Sequence, residues 1–233
     1  MHERRYDLWW ATVAQLRPTH QDLLSQTERE RRDRYIRAAD RDRFSLGAVL
    51  MRLAVERVTG TPARTLEINR ACDRCGQQHG KPRFDGLPVE VSVSHSGEIA
   101  VVVVGGPDPV GVDVELVRPV SAAQLEPLVL APGERLPDSS DESFLRQWTR
   151  KEAILKATGD GLRTPLREVV LSGFGEPLAM LSYGGRRGLR AYVQDLDSPP
   201  GYVAAVAVLG DEAPIDVRDG PHLLADTRGS PTV

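Results

Sequence analysis

The chain has 233 residues, 40% of them hydrophobic and 27% charged, with a formal net charge of −3. That length supports one large core or two small ones, and the acidic balance argues against general nucleic-acid binding. No apolar run approaches the roughly 20 residues that a membrane helix needs. Residues 1–5 are charged and carry no secretion pattern, and two cysteines, Cys72 and Cys75, are too few for a disulfide scaffold; a cytoplasmic protein is expected.

Tyr6 to Val13 is aromatic and β-rich, which predicts a first strand, broken by Pro18. A helix is expected from about Gln21, with Ser25 and Glu28 in a capping-box pattern. Between Glu28 and Arg43 stand seven arginines and five acids. Most of these suit a solvated face laced with ion pairs, while a few nearest the next helix would point at an anion. That helix, about Asp40 to Thr59, carries Phe44, Gly47, Met51, Val55 and Val58 at a spacing of three to four and stops at Gly60.

Cys72, Cys75 and His79 supply three candidate zinc ligands but no second pair, so a loop with incidental cysteines is the simpler reading. Val89 to Ser94 alternates and Ile99 to Val104 is a buried run; joined by a tight turn beside His95, they form a hairpin. Val110 to Glu115 would be a third strand, completing a meander. In it Val110, Val112 and Val114 face one side, and Gly111, Asp113 and Glu115 the other. The bland reading is a half-buried strand with a solvated acidic face. The sharper one is a pair of oxygen ligands for a hard cation, beside a glycine that leaves space.

A short helix is expected over Val120 to Leu130, then a loop, then a second strong helix over Ser143 to Thr158, capped by Ser143 and ended by Gly159 and Gly161. Glu152 and Lys156 are neighbours one turn apart; a surface ion pair is the bland reading. Residues 167–171, 178–182, 189–194 and 202–209 are strand-like, and the tail from about Asp211 is expected to be poorly ordered. A long helix with several strands thus occurs twice. This predicts an α+β fold of two pseudo-symmetric halves, each a long helix packed on a small, mostly antiparallel sheet. The N-terminal half would be 1–112, the C-terminal half 113–210 and the tail 211–233.

Only three of the 30 basic residues are lysine: Lys81, Lys151 and Lys156. The bias fits GC-rich coding, in which a lysine that survives marks a place suited to a compact charge and not to a planar fork. All three fall in stretches that stand out on other grounds.

Taken together, Gly80-Lys81-Pro82, Val93-Ser94-His95-Ser96-Gly97, Val110-Gly111-Val112-Asp113-Val114-Glu115 and Trp148-Thr149-Arg150-Lys151-Glu152-Ala153-Ile154-Leu155-Lys156 resemble the signature set of the 4′-phosphopantetheinyl transferases. The match is to the surfactin-synthetase-activator (Sfp-like) type, in the branch whose helix motif reads W-x-x-K-E-A, and it spans roughly residues 28 to 209. The resemblance implies coenzyme A bound in the cleft between the halves. It implies transfer of its phosphopantetheine arm to a serine of an acyl or peptidyl carrier domain and release of 3′,5′-ADP, with Mg²⁺ as the metal and Mn²⁺ as a substitute. It implies Asp113, Glu115 and Glu152 as metal ligands, and Glu152 as the base for the serine proton, directly or through a water on the metal. Lys156 would contact the pyrophosphate. Lys151 would be a second phosphate contact or only fix the helix, and Trp148 reads as core. Arg43, Ser94, His95 and Arg31 would surround the 3′-phosphate, the N-terminal half serving that phosphate and the adenine, with Lys81 beside the adenine. Two departures stand out: Ala48 where many relatives have arginine, and Phe44 where others have a hydroxyl. No nucleic-acid or membrane partner is implied, and a monomer is expected. The alternatives are a zinc-stabilised binding module around Cys72, Cys75 and His79, and a coenzyme A-binding relative without turnover.

Overall fold

The computed structural model describes residues 4–72 and 74–225. They form an α+β architecture of helices and small, mostly antiparallel sheets, divided into two compact units. One unit runs to Pro107 and takes in the chain again from Ile215; the other is Asp108–Pro214. Among the described residues no helix is long and apolar enough to cross a membrane.

In the first unit, β1 (Tyr6–Thr12) leads through short 3₁₀ turns to α1 (Gln26–Asp33) and α2 (Ala38–Thr59). The capping box at α1 is present: Ser25 Oγ accepts from the Glu28 amide at 3.2 Å, and Glu28 Oε2 accepts from the Ser25 amide at 2.8 Å. Glu28 also pairs with buried Arg52 at 2.7 Å, and Arg52 Nη1 donates to the carbonyls of Ala63 and Leu66, each at 2.9 Å. One glutamate therefore starts α1 and ties it to α2. The strands β2 (Asn69–Ala71) and β3 (Gln78–Arg83) form a separate two-stranded hairpin, while β4 (Glu90–Ser96) and β5 (Ile99–Gly105) form the expected long one. The core lies between α2 and the β5–β4 side of the sheet, with Leu46, Leu50, Met51 and Val55 against Val91, Val102 and Val104.

Two expectations fail here. The third strand, β6 (Val110–Leu116), does not extend the β4–β5 hairpin into a meander. The edge of β5 away from β4 is already taken by β1, in register from Tyr6–Gly105 to Thr12–Ile99, so β6 cannot pair beside β5. The tail is also not formless through residue 225. The strand β11 (Ile215–Arg218) pairs parallel with β1, and a short helix, α5 (Gly220–Ala225), places Leu224 in the core. The tail is held by backbone pairing to β1 and by Leu223 and Leu224 packed on the core, with an Arg218–Asp7 ion pair at 2.7 Å on its surface. The sheet order is β11-β1-β5-β4.

In the second unit, α3 (Ala122–Val129) precedes α4 (Asp141–Thr158), and β7 (Val169–Leu171) pairs with β8 (Met180–Tyr183). The strands β9 (Ala191–Asp195) and β10 (Tyr202–Leu209) join β6 in a sheet of order β6-β10-β9. The cap of α4 is Ser140, not Ser143: Ser140 Oγ accepts from the Ser143 amide at 3.1 Å. The helix thereby gains Asp141 and Glu142 in its first turn, where negative charge suits the helix dipole. It packs on β6 and β10 through small residues, with Ala153 and Ala157 against Ala205 and Ala207, all buried.

Candidate functional site

Gly111 explains how α4 meets β6. A Cβ on Gly111 would lie 2.0 Å from the Ala153 carbonyl oxygen and 2.4 Å from the Ala157 amide nitrogen. The space beside Gly111 is therefore filled by helix backbone and is not left for a cation, which corrects the expectation from the strand pattern. The consequence is more useful than the original idea. Gly111, Asp113 and Glu115 alternate along β6 onto one face, and α4 passes close enough to bring Glu152 and Lys156 over that face.

Asp113 is 4% exposed, and Lys156 Nζ donates to its Oδ1 at 2.6 Å. Glu152 is half-buried nearby. Burial, together with the charges of Asp113 and Glu115, pushes the Glu152 carboxyl up to about 7, against the pull of Lys156. Asp113 and Glu115 thus both disfavour a charged Glu152. The donor set is all oxygen, a few carboxylates with a lysine beside them, and it fits a small hard divalent cation that keeps some of its waters.

Lys151 is different. It is 0% exposed, donates to the Val129 carbonyl at 2.7 Å and pairs with Glu134 at 2.5 Å. Burial lowers its pKa. A sealed ammonium cannot reach a phosphate, so the phosphate-contact reading of Lys151 gives way to the helix-fixing one. Glu134 completes the arrangement by accepting from the amides of Ala131 at 2.7 Å and Leu171 at 2.8 Å. Removing one partner strands the other charge in the core, so Lys151→Met should cost about 3–5 kcal/mol in a urea unfolding experiment. Trp148 packs against this core beside Phe144, as expected.

The first unit holds a cleft of about 950 Å³ whose lining includes Arg31, Arg34, Phe44, Gly47, Arg70 and His95. His95, on β4, lies against Gly47 of α2. The Arg31 guanidinium stacks 5.5 Å from the centre of the Phe44 ring. Arg70 was not foreseen. Burial and the nearby Arg31 charge lower its pKa to about 10, the mark of a guanidinium enclosed near its like. The lining brings Arg31, Arg34 and Arg70 together with His95, Glu28 and Glu67, and Phe44 is an apolar part of the wall.

The remaining candidates fall outside the cleft. Arg43 bonds to Asp40 at 2.6 Å, and Lys81 pairs with Glu90 at 2.5 Å. Neither lines the cleft. Ser94 is buried and, one residue before His95 in the same strand, faces the other side of the sheet. Arg70 carried no sequence signal, being one arginine among 27 in a stretch without periodicity.

A sequence profile described as the 4′-phosphopantetheinyl transferase superfamily matches residues 109–207, which contain β6, α4 and most of β10. The 4′-phosphopantetheinyl transferase HetI of Nostoc sp. is 31% identical over 217 residues, covering 87% of this chain and 87% of that protein. The chain belongs to the 4′-phosphopantetheinyl transferase superfamily. Other transferases of the superfamily are similar over different spans. The 4′-phosphopantetheinyl transferase ffp of Bacillus subtilis is 28% identical over 210 residues, 84% of this chain and 86% of its own length. AcpT of Escherichia coli is 37% identical over 90 residues, 35% of this chain and 46% of its own. The carboxylate cluster of this transferase falls entirely within residues 109–207, and the cationic cleft lies outside them.

Proposed function

We propose that the chain transfers the 4′-phosphopantetheine arm of coenzyme A to a serine hydroxyl of an acyl or peptidyl carrier domain, in the manner of the Sfp-like branch. The observation that carries this reading is the electrostatic influence of Asp113 and Glu115 on Glu152, with Lys156 Nζ bonded to Asp113 at 2.6 Å. Asp113, Glu115 and Glu152 would hold Mg²⁺. When bound, that ion neutralises pyrophosphate charge and orients its oxygens.

The chain's own residues do the rest. The serine oxygen forms a bond to the phosphorus that bears the pantetheine. The bond from that phosphorus to the bridging oxygen breaks, and 3′,5′-ADP leaves with the electron pair. Such a transfer asks for positioning and charge stabilisation more than for covalent chemistry. Lys156, already seated against Asp113, is suited to the leaving oxygens as charge develops on them. The serine proton goes to Glu152, directly or through an intervening water; a carboxylate that also holds a cation is a weaker base, which favours the route through water. In the first unit, Arg31, Arg70 and His95 would take the 3′-phosphate.

Two experiments follow. Incubation with coenzyme A, Mg²⁺ and a panel of apo carrier domains should add one phosphopantetheine mass to at least one carrier; unmodified carriers throughout would defeat the reading. For the cleft, Arg70→Ala should raise KM for coenzyme A by roughly 10–100-fold, the worth of a charged hydrogen bond. It should change KM for 3′-dephospho-coenzyme A much less. Equal losses on both nucleotides would remove the 3′-phosphate from this pocket.

A further inference from the structure

The β2–β3 hairpin carries a feature that phosphopantetheine transfer does not use. Cys72, Cys75 and His79 bring one ligand atom each to within 4.8 Å of one another. Cys75 Sγ lies 3.1 Å from His79 Nε2. From these residues we infer that the hairpin is clipped by a zinc ion held by Cys72, Cys75 and His79.

The backbone is shaped for it. The Cys72 amide donates to the Gln77 carbonyl and the Gly76 amide to the Cys72 carbonyl, both at 2.8 Å, so the chain doubles back right after the second cysteine. That reversal needs Gly76 at φ +69°, the left-handed region that other residues avoid. With the turn closed, both thiols and the imidazole lie on one side of the loop. The donor set also selects the ion. Two sulfurs and an imidazole suit a borderline-soft metal and not magnesium. Zinc with bonds of about 2.3 Å to sulfur and 2.0–2.1 Å to nitrogen spaces tetrahedral ligands roughly 3.5–3.8 Å apart, so the three atoms need only small shifts. The fourth position is left for water or an external donor.

The hairpin has reason to need a clip. Its strands have three and six residues, belong to no larger sheet and bury few side chains; an isolated two-stranded hairpin is marginal in water. A metal bond across residues 72–79 closes the loop and adds its binding free energy to the folded hairpin. This hairpin is also a wall of the cleft: Arg70, Gln77, Gln78 and His79 all line it. The clip would thus hold Arg70 in place from two residues away.

Metal content decides the matter, and it is read on the purified chain, independently of any transfer activity. The full chain is prepared under reducing conditions from zinc-supplemented medium, freed of loose metal and measured by inductively coupled plasma mass spectrometry. About one zinc per chain is expected for the tetrahedral site. Cobalt in its place should give thiolate charge-transfer and tetrahedral ligand-field bands. Cys72→Ser/Cys75→Ser and His79→Ala should each lose the zinc while their circular dichroism stays native. Three results would overturn the inference: a wild-type chain with only traces of zinc, a cobalt spectrum without thiolate bands, or zinc retained at wild-type content by the double cysteine variant. A chain recovered without metal and with the mass of a Cys72–Cys75 disulfide would do the same.

Discussion

Gly111→Ala should abolish phosphopantetheine transfer and destabilise the protein by at least about 3 kcal/mol, the upper end for overpacking a core. The reason is the 2.0 Å approach to the Ala153 carbonyl. No rotamer change relieves a clash between a Cβ and helix backbone, so α4 must lift from β6. Lifting it separates Glu152 and Lys156 from Asp113 and Glu115, so stability and activity fall together. Urea unfolding gives the first effect and single-turnover transfer the second. A stable Gly111→Ala protein with native rates would mean that helix and strand do not meet as described.

The second large effect pits function against stability. Glu152→Gln should lower the transfer rate by at least about 10³-fold, since several kcal/mol of charge stabilisation and the proton acceptor go together. The same change should stabilise the metal-free protein at alkaline pH. With its pKa raised from 4.5 to about 7, Glu152 holds its proton in the folded chain at pH values where the unfolded chain has lost it. Folding stability therefore falls as pH rises from about 4.5 to 7, by roughly 3 kcal/mol at most. The glutamine cannot ionise and escapes that loss. Melts in chelator from pH 5 to 8 should show the wild type losing several degrees relative to the variant, and added Mg²⁺ should return them. A wild type whose melting point runs parallel to that of Glu152→Gln across this range would contradict the crowding of the three carboxylates.

Much of this was legible in the residues. Strand alternation around Asp113 and the helical spacing of Glu152 and Lys156 are local patterns, and family resemblance joined them across forty positions. What failed depends on non-local geometry. The meander was wrong because the edge of β5 belongs to β1, ninety residues earlier, and no local pattern reports which edge is occupied. Gly111 stood out, yet for an inverted reason, because a strand cannot reveal that a helix backbone lies against it. Lys151, beside Glu152, suited either a phosphate contact or a role in fixing the helix. Only its direction, inward to Glu134, separates the two lysines of the motif. Arg70 gains its place in the cleft from the hairpin's fold alone.

The carboxylate cluster is most directly tested by titrating Mn²⁺ into the protein with coenzyme A present, followed by electron paramagnetic resonance. About one tightly bound Mn²⁺ per chain is expected, with affinity reduced at least about tenfold in each of Asp113→Asn, Glu115→Gln and Glu152→Gln. Wild-type affinity in any of the three, or no bound ion at all, would contradict a single cation shared by these carboxylates.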